Sequence, residues 1–244
     1  MAKAAEYGLG PNTFPRCWFV VAESREIDAS PIGVTFFDRD FVIYRGESGK
    51  PVMLDAYCKH MGTHLGKNTS AMLIVADVGG KRIEGDAIRC PYHGWRYNAE
   101  GDVDDIPYHD GPCPKSASIR SYPVVDNMGC IMMWFDEQGS EPLYSPPYLQ
   151  QWDEAGWVHW NLDHLPELDI HPQEVLDNMA DNRHLGPTHG APCEYFENEI
   201  KEHVLIQRQG GPMTLYGGVM LYTTTWETGP GVLLSKQVWG DKTQ

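Results

Sequence analysis

The sequence contains no unbroken apolar run of the ~18 residues that a membrane-spanning helix needs, so no membrane span is expected. Positive charge is scarce. There are 19 Lys and Arg against 34 Asp and Glu, a formal net charge of −15. Phosphate binding needs clustered Lys and Arg, so no nucleic-acid partner is expected. The acidity serves solubility first, and would also steer a basic partner. The opening stretch MAKAAEYGLGPNTFPRC lacks a signal-peptide layout, and a cytoplasmic location is the expectation. Internal repeats and low-complexity tracts are missing. Cysteine is sparse: Cys17, Cys58, Cys90, Cys113, Cys130 and Cys193 are too scattered for a small disulfide scaffold. In a cytoplasmic protein, Cys paired with His points to metal instead.

What is present has two textures. A chain of 244 residues suffices for one large domain or two modest ones. Up to about residue 140 it reads as short strands rich in Val, Ile, Phe and Tyr: 17–22, 33–44, 51–56, 82–89, 121–125 and 130–136. Gly46–Gly49 and Asn98–Gly101 read as hairpin loops. A Pro-rich linker, Glu141–Tyr148, marks a domain boundary, giving domains 1–145 and 146–244. Beyond it one helix is predicted, Gln173–His184, with Pro172 before it and Gly186-Pro187 ending it. Strand-like text resumes at 202–208, 213–225 and 231–238. The expected class is α+β: an all-β domain, then a helix with antiparallel strands. The sequence stops at Gln244 directly after a strand, an odd place for a domain to end.

Two short motifs carry chemistry. They are Cys58-Lys59-His60 and Cys90-Pro91-Tyr92-His93. Either alone is weak, because chance produces it often. Together, each loop offers one thiolate and one imidazole. A Rieske centre needs this set, with two His on one iron and two Cys on the other. A structural zinc site would also accept two Cys and two His, although zinc fingers usually pair like with like. Gly62, Gly66 and Gly94 permit tight turns that aim backbone N–H groups at sulfur. Pro91 fixes one φ angle, and Trp95 is placed to shield the site from water.

A second constellation lies on the predicted helix: Asn178, Asp181, His184 and His189. Asp181 and His184 are three apart and would share a helix face. Past Gly186-Pro187, His189 would swing back toward His184. Two imidazoles and a carboxylate form the facial triad of non-haem Fe(II) oxygenases, which leaves positions open for O₂ and substrate. Taken alone, two histidines at this spacing are more often surface or packing residues. The upstream motif pair reverses that balance.

YCKHMGTHLG and CPYHGWRY resemble the two cluster loops of the Rieske non-haem iron oxygenases, and D-x-x-H-x₄-H resembles their catalytic helix. One departure is the long gap between the half-motifs, where 68–81 reads as an inserted hairpin. The resemblance implies a [2Fe–2S] cluster held by Cys58, His60, Cys90 and His93, and a mononuclear Fe(II) held by His184 and His189. It implies a helix-grip catalytic domain, incomplete here. The family's third iron ligand, a carboxylate, is not found in this chain. Glu194, Glu197, Glu199, Glu202, Glu227 and Asp241 stand in no ligand motif, and a fragment is the expectation. Asp181 would not bind iron. It would bridge His184 to His93 of a neighbouring subunit, which implies a homotrimer or other ring. Asn178 would lie near the iron.

The implied activity is that of the terminal oxygenase of a multicomponent system. O₂ and NADH-derived electrons, delivered by a separate reductase or ferredoxin, would serve a monooxygenase or dioxygenase. LDAYCKHMG, Asp105–Tyr108 and Asp177–Asp181 look most like the 3-ketosteroid 9α-hydroxylase branch and its sterol-acting relatives. That implies a bulky, hydrophobic ring substrate, possible lining residues being Met213, Leu215, Tyr216, Val219, Leu221 and Tyr222; half-buried strand alternation explains these equally well. Two rival readings remain. A Rieske electron carrier would leave the Asp181–His184–His189 segment idle. A desaturase or demethylase would use the same scaffold. His64, His109, His159, His164, His171 and His203, with Cys17, Cys113, Cys130 and Cys193, are read as structural or exposed.

Overall fold

The computed structural model describes residues 6, 8, 14–67, 81–159, 163, 165–240 and 242–243. The expected inserted hairpin at 68–81 lies almost wholly outside them, as do His164 and Asp241. The chain divides into two units, residues 20–134 and residues 1–19 with 135–244. The sequence places a boundary at 145; the structure divides earlier and groups the first residues with the later unit. The reason is local stitching. Trp18 Nε1 donates to the Tyr144 carbonyl at 2.7 Å, and the Tyr144 hydroxyl donates to the Thr228 carbonyl at 2.8 Å.

Strands of the first half are β1 Cys17–Glu23, β2 Ile32–Phe36, β3 Arg39–Arg45, β4 Pro51–Asp55, β5 Ile83–Glu84, β6 Ala87–Arg89, β7 Arg96–Tyr97, β8 Val103–Asp105, β9 Ser121–Tyr122, β10 Val124–Asn127 and β11 Cys130–Phe135. Three sheets result, with orders β2-β3-β4-β9, β5-β6-β7-β8 and β1-β11-β10. Val42, Tyr44, Leu54, Leu65, Ile88 and Tyr97 pack in one buried core, together with Cys58 and Cys90. Each large apolar side chain so buried contributes about 1.5–3 kcal/mol.

Several strands read as single from the sequence are hairpins. The 33–44 run turns at Phe37-Asp38, both with positive φ (54° and 55°), the two-residue turn whose twist suits antiparallel strands. The 82–89 run turns at Gly85-Asp86. Pro123, which has no N–H to give a ladder, separates β9 from β10.

The later unit carries helices α1 Gln173–Ala180 and α2 Leu185–His189, then strands β12 Tyr195–Lys201, β13 Val204–Met213, β14 Val219–Glu227, β15 Leu233–Trp239 and β16 Lys242–Thr243. These strands form one antiparallel meander in chain order. β12 is a strand missed in the sequence, where its charges hide the alternation. The fold is α+β, as expected. Helix α1 ends four residues earlier than predicted. Asp181 is extended (φ −93°, ψ 100°), and its carboxylate accepts the Arg183 N–H at 2.8 Å. Such a side chain competes with the helical ladder and stops it. Gly186-Pro187 does not end that helix; it lies in the first turn of α2, where proline is tolerated. At the other end, the Gln173 N–H donates to His171 Nδ1 at 3.1 Å, so His171 caps α1.

Candidate metal centres and the adjoining cleft

The loop after β4 presents Cys58 and His60; the loop between β6 and β7 presents Cys90 and His93. Both thiols are buried, while His60 is exposed and His93 half-buried. The thiols are within hydrogen-bonding reach of each other. The imidazoles form their own pair, with ring centroids 4.7 Å apart. A two-iron cluster with its thiolates inward and its imidazoles outward needs this division of the donors. Each loop closes on itself: the Gly62 N–H donates to the Cys58 carbonyl at 2.9 Å, and the Gly94 N–H to the Cys90 carbonyl at 3.1 Å. Gly62 and Gly94 both take positive φ, 70° and 75°. These turns direct the N–H groups of His60 and Met61 at the Cys58 sulfur, and those of Tyr92 and His93 at the Cys90 sulfur.

The charge state of the pair follows. A hydrogen bond from Cys90 is the largest influence lowering the Cys58 pKa. It outweighs desolvation, with help from Tyr97 and the two N–H groups. The complementary interaction and burial raise that of Cys90. Tyr97, fully buried, donates its hydroxyl to Cys58 Sγ at 3.2 Å and accepts the Lys59 N–H at 3.0 Å. Trp95 lies flat on His60, 4.8 Å between centroids and 3° between planes, and its Nε1 donates to the Tyr108 hydroxyl at 2.7 Å. Trp95 therefore covers one face of the His60 ring, which stays exposed to solvent on its other side.

Behind the second loop is an ion network that the motif does not announce. The Arg89 guanidinium, 4% exposed, donates to both Glu84 oxygens (2.6 and 2.9 Å), to Asp105 (2.7 Å) and to the Gly94 carbonyl (2.6 Å). Arg96 joins Glu84 to Asp104, each at 2.8 Å. Hydrogen bonds from Arg89 and then Arg96 hold the Glu84 carboxyl down to about 2. Arg89 thereby ties the backbone of the cluster loop to three strands of one sheet.

The second constellation is looser. His184 and His189 lie at the two ends of α2, with centroids 5.3 Å apart. His184 Nδ1 faces the Asp181 carbonyl at 2.5 Å and the Asp181 carboxylate at 3.8 Å. An Nδ1–H held by that carbonyl leaves Nε2 as the metal-binding lone pair. Asp181 and His184 meet through a turn rather than on a shared helix face, so that expectation is corrected. Asn178, Asp181 and His189 are exposed. Among the described residues no three of His, Cys, Asp and Glu converge as one metal-holding group. Glu199 is engaged by Lys201 (3.0 Å) and Arg208 (2.9 Å).

Asn178, Asp181, His184 and His189 open onto a cleft of about 400 Å³ whose floor is the meander. Met213, Tyr216 and Leu221 line it as anticipated. Leu215, Val219 and Tyr222 do not, and are exposed. Gln207, Gln209, Thr223, Thr225, Ser235 and Gln237 make much of the floor polar. Three further histidines have local uses: His64 Nδ1 accepts the Gly66 and Lys67 N–H groups, His159 stacks on Trp152, and His203 stacks on Tyr144. All six cysteines are free thiols.

Comparison with known proteins agrees with this geometry. Residues 17–123 match the Rieske [2Fe–2S] domain, and residues 133–243 match the 3-ketosteroid 9α-hydroxylase C-terminal domain. A probable 3-ketosteroid-9-alpha-monooxygenase oxygenase component of Rhodococcus rhodochrous is 30% identical over 208 residues, 84% of this chain and 49% of that protein. The cholesterol 7-desaturase nvd of Bombyx mori is 36% identical over 185 residues, 74% of this chain and 37% of that protein. The chain thus spans about half the length, or less, of the curated relatives it matches. Apo dicamba monooxygenase shares the fold, with a TM-score of 0.65 at 20% identity, covering 92% of this chain and 65% of that one. Among the described residues no helix is long and apolar enough to cross a membrane. With both of its halves matched in order, the chain consists of a Rieske [2Fe–2S] domain followed by a domain of the 3-ketosteroid 9α-hydroxylase C-terminal family.

Proposed function

We propose that this chain forms the cluster domain and part of the catalytic domain of a terminal oxygenase acting on a bulky hydrophobic ring substrate of the steroid class. The carrying observation is the pairing of two donor sets, Cys58/Cys90 with His60/His93 and His184 with His189, the second opening on a cleft. In this reading Cys58, His60, Cys90 and His93 hold a [2Fe–2S] cluster, and His184 and His189 hold Fe(II). Together these groups supply one-electron transfer and O₂ activation. A separate reductase or ferredoxin delivers NADH-derived electrons. The chain assembles as a homotrimer or other ring, in which Asp181 bridges His184 to His93 of a neighbouring copy. Asn178 lies near the iron, and Trp95 covers one face of the His60 ring.

Iron and acid-labile sulfide counts test this first. The expected content is about three irons and about two sulfides per chain. Zinc in place of iron, or no sulfide, overturns it. A second reading, desaturation, has its own support in the 36% identity to the cholesterol 7-desaturase. Product formed under isotopic O₂ separates the two: hydroxylation puts label in the product and desaturation does not.

A further inference from the structure

The antiparallel register sorts the cleft floor into rows. One row is Gln207–Thr225–Ser235; the next is Gln209–Thr223–Gln237. The first row is internally engaged. Gln207 Nε2 donates to the Met179 carbonyl, and the Thr225 and Ser235 hydroxyls lie 3.3 Å apart. The second row is open. Gln209 Oε1 is buried and, among the described residues, has no hydrogen-bond partner. Thr223 beside it is buried. One register step on, Trp239 Nε1 is another buried donor without a partner among the described residues. All three side chains line the same cleft as His184 and His189.

An unmade hydrogen bond at a buried polar atom is costly, and a row of them facing a cavity is stabilised when a ligand completes it. We infer that the Gln209–Thr223 row, with Trp239, is the recognition element for a hydroxyl group on the ring substrate. The apolar walls from Met213 and Leu221 hold the hydrocarbon, while the open row sets its orientation before His184 and His189. The open atom of Gln209 is Oε1, an acceptor, and that of Trp239 is an N–H donor, so together they suit a hydroxyl, which gives one hydrogen bond and takes another. Gln209 and Thr223 are specificity-determining residues in this scheme, and the scheme rests on the steroid-class reading above.

The test compares binding of a 3-hydroxy steroid with its 3-deoxy counterpart and a 17-hydroxy steroid with its 17-deoxy counterpart, on the iron-loaded native protein. Gln209→Met and Thr223→Val are nearly isosteric, and each is used only if the cluster spectrum is retained. Either one suffices should the other fail to fold. In one of the two pairs, the variant is expected to weaken the oxygenated ligand by roughly tenfold or more, while the deoxy ligand binds as before or better. Equal weakening of both members, or no change in either, overturns the recognition role and leaves the steroid-class reading intact. If the parent protein binds none of the four ligands, the steroid-class reading itself has failed and the inference falls with it.

Discussion

The two donor sets differ in how the protein holds them. In the first, both thiols are buried in the core, two glycine turns close the loops, and Tyr97 and Arg89 brace them from behind. In the second, α1 has no buried residue, and Asn178, Asp181 and His189 are exposed. Only the turn from Asp181 to His184 fixes a ring. The first donor set is held by its scaffold on several sides; the second is held mainly at His184. In the proposed function that contrast suits the chemistry: an electron carrier gains from a rigid shell, whereas a site that admits substrate must keep positions open.

The largest expected effect strikes the rigid site at its ligands. Cys90→Ser or His93→Ala is expected to abolish the Rieske visible and EPR spectrum completely; persistence of that spectrum in either variant ends the cluster assignment. Next comes the looser site. Asp181→Asn should leave both metals bound yet slow single-turnover cluster oxidation, with substrate present, by about 10- to 100-fold. An unchanged rate would remove the bridging role and leave Asp181 as only the residue that stops α1.

The motifs were legible because ligand chemistry dictates residue types at short spacing. Cys58, His60, Cys90 and His93 stand out in a single sequence for that reason. The bracing was not legible. Arg89, Glu84, Asp105 and Arg96 come from different strands and meet only once β5-β6-β7-β8 has formed. The polar floor was hidden likewise, since Gln209 and Thr223 become neighbours through register and not through sequence. The Phe37-Asp38 turn is not legible in the sequence because Phe37 is a residue type that rarely takes positive φ. Helix α1 is shorter than its sequence pattern predicts because the turn made by the Asp181 carboxylate competes locally with continued helix.

Arg89→Met sharpens the comparison by removing the brace and leaving every ligand in place. It leaves Glu84 with Arg96 alone and removes the guanidinium from the partly exposed Asp105, at a cost of about 1–3 kcal/mol. A lowered Tm with the cluster still assembled is expected. Glu84 predicts the pH dependence of the same brace. Its carboxyl is held down to about 2, below the ordinary value of 4.5. Its contribution is therefore fully present above about pH 4.5 and is lost as pH falls from there toward 2. Glu84→Gln should flatten that part of the acid unfolding curve; an unaltered curve would mean that the carboxylate–guanidinium pairs do not brace the loop.

The smallest change is Tyr97→Phe, which deletes a single hydroxyl. Nothing else in the core need move, because the ring is fully buried and phenylalanine fills its place. The hydroxyl donates to Cys58 Sγ, and a hydrogen bond to a ligating sulfur favours the more negative, reduced cluster. Its loss should lower the reduction potential while the spectrum and iron content stay as in the parent. The same hydroxyl accepts the Lys59 N–H, so the variant also frees one backbone donor in the first loop. If that released donor loosened the loop, metal would be lost faster to a chelator. A lowered potential with an unchanged rate of metal loss would show that Tyr97 tunes the sulfur, and that the glycine turns alone suffice to hold the loop.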